Sequence, residues 1–120
     1  MVHRNISGFA GWYGQCAVTR EHSLPALEAA HIVPYAENGV HEIPNSLLLS
    51  ANLHKLFDRG YVTVAPDYTF RVSPRLGRDF HNGRIYYALE GREIARQADP
   101  DLWPSRERLE WHSGVRFWAG

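Results

Sequence analysis

The sequence predicts an α+β fold, and three observations support this prediction. Between residues 26 and 60, a strand-like run is followed by a loop, a second apolar run and an amphipathic helix. Two alternating segments around Pro66-Asp67 predict a β-hairpin, and later turn and capping signals predict short helices. With 120 residues and no repeat, low-complexity run or linker, the chain is expected to form one domain over residues 1–120.

The N-terminal part supplies the first strands. Residues 3–14 have apolar positions at helical spacing and predict a short helix. Residues 26–33 predict a strand that ends at Pro34, because proline cannot donate to a strand ladder. Residues 34–44 contain two prolines and an Asn-Gly pair, which predict a loop, and residues 46–49 predict a second strand.

A helix is predicted over residues 51–59. Ser50 is a suitable N-cap, and Gly60 is a suitable residue to end the helix. Its apolar face would consist of Leu53, Leu56 and Phe57.

The C-terminal part predicts a hairpin and short elements. Residues 61–64 and 69–72 alternate apolar and polar positions and would form the hairpin strands. An Asn-Gly turn at 82–83 leads into an apolar run at 85–89. A last helix is predicted from Pro104-Ser105 to about His112, with Gly114 as its stop.

Composition excludes several classes of protein. The only cysteine is Cys16, so an intramolecular disulfide is impossible and a reducing compartment fits best. The N-terminus has no signal-peptide pattern, and no window approaches the 18 consecutive apolar residues of a membrane span. We therefore expect a soluble, cytoplasmic protein without a membrane partner.

The charge pattern is neutral overall but rich in arginine. The formal net charge is zero, and 12 of the 13 basic residues are arginine. Six of these arginines and three acidic residues lie between residues 71 and 96, so a basic face could exist there. The alternative is a set of scattered, solvated arginines.

His54 and Asp58 are four residues apart on the predicted helix. Side chains at this spacing leave the same helix face and can bind one cation. A neutral imidazole and a carboxylate suit a divalent metal that keeps positions open for water and phosphate. The alternative is a solvated pair or a hydrogen bond on the helix surface.

Three segments resemble a known family: EAAHI with His31, PNSLLL with Asn45 and NLHKLFD with His54, the last two separated by nine residues. They are similar to the HNH endonuclease family, whose fold is the ββα-metal, or His-metal finger, motif. The strings CAVT, LEAAHIVPYAENG and LHKLFDRGYVTV resemble a branch without a zinc knuckle. That branch occurs at the C-terminus of bacterial restriction-like and defence nucleases. The resemblance implies a motif core at about 16–60 and an extension at about 61–120 that includes NGRIYYALEGREI and LEWH.

The resemblance also implies roles for individual residues. His31 would be the general base that activates water, because an imidazole titrates near neutral pH. Asn45 would orient His31 or complete the metal shell, or alternatively be a loop residue at a strand entrance. His54 and Asp58 would hold one divalent metal, with Mg²⁺ favoured and Mn²⁺, Ni²⁺ and Zn²⁺ as alternatives.

The implied function is cleavage of double-stranded DNA in restriction or anti-phage defence. Lys55, Arg59 and His41 are candidate phosphate contacts. For Lys55 and Arg59 the alternative is an ordinary solvated helix face, and for His41 it is a role in ordering the loop. Sequence specificity would come from a fused or partner domain, or from self-association as a homodimer.

The sequence departs from the family pattern at two places. Ala30 stands where many relatives carry a further metal ligand before the catalytic histidine. Glu28 is a candidate to replace that ligand or to support the metal site through a hydrogen bond, although a salt bridge with an arginine is the favoured expectation. A structural zinc site is excluded because the chain has one cysteine, and apolar packing around a buried Cys16 should replace it. Two other hypotheses remain, namely an inert ββα module that binds DNA or a protein, and a structural domain with an accidental match.

Overall fold

The computed structural model describes residues 14–34, 39 and 42–120. The predicted helix at 3–14 therefore lies outside the described residues except for Gly14. His41 and much of the predicted loop at 34–44 also lie outside them.

Two antiparallel strands and a helix form the centre of the fold. Strand β1 (Leu27–His31) pairs with strand β2 (Ser46–Ser50), with Leu27 opposite Ser50 and His31 opposite Ser46. Helix α1 (Ala51–Asp58) follows β2 directly. The predicted order of strand, loop, strand and helix is confirmed.

Strand β1 is shorter than the predicted span of 26–33. A 3₁₀ turn at Leu24–Ala26 precedes it. After β1, the backbone N–H of Ile32 donates to the carbonyl oxygen of Asn45, and the backbone of Val33 bonds to the Asn45 side chain. The strand ends early because its next backbone groups bind a single asparagine instead of a strand.

The two ends of helix α1 differ in how they are stabilised. Ser50 occupies the predicted N-cap position in an extended conformation, but its hydroxyl donates to Oδ1 of Asn52 and caps no backbone N–H. The helix ends one residue earlier than predicted, at Asp58, and Gly60 has a φ of +82°. A Cβ atom at Gly60 would lie 2.3 Å from the carbonyl oxygen of Arg116, so the position requires glycine.

The hairpin after α1 is confirmed. Strand β3 (Val62–Val64) pairs antiparallel with strand β4 (Phe70–Val72). Helix α2 (Pro74–Phe80) and helix α3 (Arg84–Tyr87) follow, so the apolar run at 85–89 begins in a short helix.

The C-terminal helix continues past its predicted stop. Helix α4 (Arg106–Trp111) begins after Ser105, as predicted, and the Ser105 hydroxyl accepts from the Arg108 N–H. The prediction that Gly114 ends the helix is wrong, because a π-helical turn covers His112–Arg116. The Phe117 N–H donates to the carbonyl oxygen of His112, which widens the last turn by one residue.

One core joins these elements. The predicted packing in place of a zinc knuckle is confirmed, since Cys16, Val18, Leu53 and Phe57 are buried in the same cluster and Leu56 packs against it. The rest of this cluster comes from the first segment, the four strands, two later helices and the irregular chain between elements: Ala17, Leu27, Ala30, Ile32, Leu47, Leu48, Leu49, Val62, Val64, Tyr68, Phe70, Val72, Leu76, Ile94 and Leu109. Within the described ranges, no helix is long and apolar enough to cross a membrane.

Candidate active site

A surface cavity lies beside the face of helix α1 that carries His54 and Asp58. Its volume is about 320 Å³, and the described residues that line it are His31, Pro34, His54, Asp58 and Arg116. His31 is the last residue of β1, and His54 and Asp58 lie on consecutive turns of α1. The fold therefore brings the three residues of the predicted general base and metal pair to one cavity.

Both ring nitrogens of His54 face carboxylates. Nε2 lies 3.1 Å from Oδ2 of Asp58, and Nδ1 lies 2.6 Å from Oε1 of Glu28. The hydrogen bond with Asp58 is the largest cause of a raised His54 pKa; burial opposes it, and Glu28 adds to the rise. The expectation that Glu28 pairs with an arginine is wrong, because the turn from β2 into α1 brings His54 within its reach.

Asn45 is buried beside the strand that carries His31. Its Oδ1 accepts from the Val33 N–H at 2.9 Å, and its Nδ2 donates to the Val33 carbonyl oxygen at 3.0 Å. The side chain is fully buried and does not line the cavity. Its geometry fixes the backbone two residues beyond His31.

His112 packs against Phe57 in the last turn of α1. It was not predicted as a site residue. Its Nε2 donates to the carbonyl oxygen of Phe57 at 2.9 Å, so its Nδ1 accepts from the Thr63 hydroxyl at 2.7 Å. Its ring stacks on that of Phe57, with centroids 3.7 Å apart. Burial lowers the pKa of His112 to about 4, so the ring is neutral at physiological pH.

The donor set at the cavity fits a divalent cation with two protein ligands. Neighbouring ligands of an octahedral Mg²⁺ with bonds of about 2.1 Å lie roughly 3.0 Å apart. The 3.1 Å between His54 Nε2 and Asp58 Oδ2 agrees with this spacing. In the described part of the chain, no group of three His, Cys, Asp or Glu side chains is arranged to hold a metal ion, so water and phosphate would fill the other positions.

The remaining predicted residues are placed as follows. Lys55 is exposed on α1, one residue beyond His54 and hence rotated by about 100° around the helix from it. Arg59 is exposed at the C-cap of α1, one residue beyond Asp58. Neither lines the cavity. Arg116 does line it, although no sequence signal pointed to it, since its contact with α1 spans 58 residues along the chain.

Comparison with known proteins found one family model and a solved structure that are similar to this chain. Residues 16–65 match a family model described as HNH endonuclease. The chain is similar to a solved structure titled "Modification dependent TagI restriction endonuclease", with a TM-score of 0.59 and 21% identity over 91% of this chain. This likeness shows a shared fold, and the chain spans 36% of that protein's length. No curated protein matches the sequence.

These findings agree with the fold described above, in which two strands and a helix frame a cavity with histidine and carboxylate. Over residues 16–65, the chain is similar to the HNH endonuclease family. The family supports a nuclease role.

Proposed function

We propose that the chain is a metal-dependent endonuclease domain that hydrolyses phosphodiester bonds of double-stranded DNA. The observation that carries this proposal is that His31, His54 and Asp58 line the same cavity. His31 would accept a proton from water as the water oxygen attacks phosphorus. The P–O bond to the 3′-oxygen would break, leaving a 5′-phosphate, and the 3′-oxygen would take a proton from solvent water to become a 3′-hydroxyl.

His54 and Asp58 would hold the metal, for which Mg²⁺ is the favoured ion. When bound, such an ion stabilises the extra charge on the phosphate and the leaving oxygen. Glu28 would accept the Nδ1–H of His54 and thereby fix the tautomer that presents Nε2. Asn45 is better assigned to positioning than to ligation, because its carboxamide binds the backbone of Val33.

The biological setting we propose is restriction or anti-phage defence. The structural neighbour is titled a modification-dependent restriction endonuclease, and the chain spans 36% of its length. Backbone contacts position a protein on DNA without reading its sequence. We therefore assign cleavage to this chain, and recognition of sequence or modification to a fused or partner domain or to self-association.

Incubation of the purified protein with supercoiled plasmid and Mg²⁺ or Mn²⁺ tests the proposal. Wild-type protein should nick or linearise the plasmid, and His31→Ala should reduce the rate by about 10²–10⁴-fold. His22→Ala, which removes an exposed histidine outside the cavity, is the matched control and should cleave normally. Intact plasmid with wild-type protein, on modified and unmodified DNA alike, would favour an inert DNA- or protein-binding module instead.

A further inference from the structure

The structure carries an inference about Arg116, and it rests on the proposed nuclease function. Arg116 lies at the end of the π turn near the C-terminus, and it lines the same cavity as His31 of strand β1. Its Nη1 donates to the carbonyl oxygen of Asp58 at 3.0 Å. We propose that Arg116 binds the scissile phosphate of the DNA.

The charge of Arg116 is available to an anion. Within the described ranges, no carboxylate lies within ion-pair distance of its guanidinium, and its other N–H groups donate to no described residue. The side chain is half-buried, and its guanidinium carbon lies 5.7 Å from the ring centroid of Trp111. A cation held in this way keeps N–H donors directed to a phosphate without first breaking an ion pair.

The segment that carries Arg116 is fixed on both sides. Before it, His112 bonds to the carbonyl oxygen of Phe57 and to Thr63. After it, the Trp118 N–H donates to the carbonyl oxygen of Gly60 at 3.0 Å. Donors that are already in position when charge develops stabilise a transition state without reorganisation. This rigidity distinguishes Arg116 from the exposed arginines of the surface.

The chemistry of the guanidinium points to phosphate. Its planar fork matches two oxygens of a phosphate group, and it stays charged at every working pH. The cavity also holds the predicted base and metal ligands, so an anion there would be the group that reacts. Because negative charge grows on that group during hydrolysis, the contribution should appear mainly in kcat.

The test compares Arg116→Gln and Arg116→Lys with Arg106→Gln. The control removes the same charge from an exposed arginine on α4 that does not line the cavity. The first measurement is the rate of cleavage of a short DNA duplex with Mn²⁺, resolved into kcat and KM. The second is Mn²⁺ affinity by calorimetry without DNA, and the third is duplex binding by fluorescence anisotropy in a His31→Ala background.

Arg116→Gln should lower kcat by about 10²-fold, with Mn²⁺ affinity unchanged within about twofold. Arg116→Lys should recover part of this loss, because it restores the charge without the fork. Two results would overturn the assignment: a fall in Mn²⁺ affinity that matches the fall in kcat, or a loss equal to that of Arg106→Gln.

The proposal can be separated from the failure of the nuclease function itself. If wild-type protein does not cleave DNA with any divalent metal, the proposed function fails while the anisotropy measurement still tests Arg116. Weaker duplex binding for Arg116→Gln than for Arg106→Gln would then support a phosphate contact. Equal binding by the two variants would exclude it.

Discussion

The imidazole of His112 lies flat on the ring of Phe57, with 3.7 Å between their centroids and 6° between their planes. This contact joins the C-terminal segment to the last turn of α1, one residue before Asp58. The Thr63 hydroxyl and the Phe57 carbonyl oxygen complete the contacts of the ring.

Replacement of His112 by phenylalanine should destabilise the protein by about 1–3 kcal/mol, because the buried Thr63 hydroxyl loses its acceptor. A phenylalanine ring can still stack on Phe57, so the loss of stability measures the contribution of the two hydrogen bonds of His112. The double variant His112→Phe with Thr63→Val should recover part of the loss, since both partners are then apolar. Urea unfolding of the three variants and the wild type measures these differences, and a double variant less stable than His112→Phe would contradict the explanation.

Acid should weaken the wild-type protein through His112. The folded-state pKa of about 4 lies below the ordinary value of 6.5, so the unfolded chain binds the proton more tightly. The stabilisation is complete above about pH 6.5 and is lost as the pH falls towards 4, by about 3 kcal/mol in total. Urea unfolding at several pH values should show the stability gap between wild type and His112→Phe narrowing in acid. A gap that stays constant would exclude a buried neutral imidazole.

His54 should respond to pH in the opposite direction. Its raised pKa means that the metal-free folded protein gains stability from the protonated ring below the unfolded pKa, and loses it as the pH rises through the folded pKa. Protons and metal compete for Nε2, so Mn²⁺ affinity should rise with pH until the ring is neutral. Calorimetry with Mn²⁺ across this range measures the effect, and His54→Ala should abolish it. A pH-independent affinity would show that the metal binds elsewhere.

Glu28→Gln tests two effects of the Glu28 carboxylate on His54: it raises the pKa of the ring, and it orients the ring. It removes one of the interactions that raise the His54 pKa, so the midpoint of pH-dependent Mn²⁺ binding should move to lower pH. In alkaline solution, affinity should fall about tenfold, because a less basic and less oriented imidazole binds metal more weakly. Glu107→Gln, at an exposed position on α4, is the control and should change neither quantity.

Asn45→Ala tests whether Asn45 positions the backbone or ligates the metal. The variant leaves the N–H and carbonyl oxygen of Val33 without their side-chain partner, so it should destabilise the protein by about 2 kcal/mol or more. The cleavage rate should fall because the chain after His31 loses its support. Mn²⁺ affinity should remain that of the wild type, and a loss of affinity as large as that of Asp58→Ala would restore Asn45 as a ligand.

The sequence predicted the elements whose signals are local. Strands β1 and β2, helix α1 and the β3–β4 hairpin follow from apolar patterns and from residues such as Gly60 that end an element. The bounds of β1 were too long because they depend on the side chain of Asn45, which lies 12 residues from Val33 along the chain. A periodic pattern contains no information on such a bond.

The cavity was only partly predictable for the same reason. His31, His54 and Asp58 occupy one short region whose spacing is a signal in itself. His112 and Arg116 contact α1 across 55 and 58 residues of sequence, and nothing around them differs from an ordinary helix end. The π turn runs between these two residues and includes Gly114, so the rule that glycine ends a helix failed there.

The hydrogen bond from the Trp118 N–H to the Gly60 carbonyl oxygen affects how this domain can be transferred between proteins. A graft of residues 16–65 would carry the histidines, the asparagine and the helix into a new scaffold. It would also uncover the Phe57 ring that His112 covers, and it would lack Arg116. The smallest portable unit is therefore longer than the recognisable motif, and a designer who splices it must keep the final turn in register with the helix it supports.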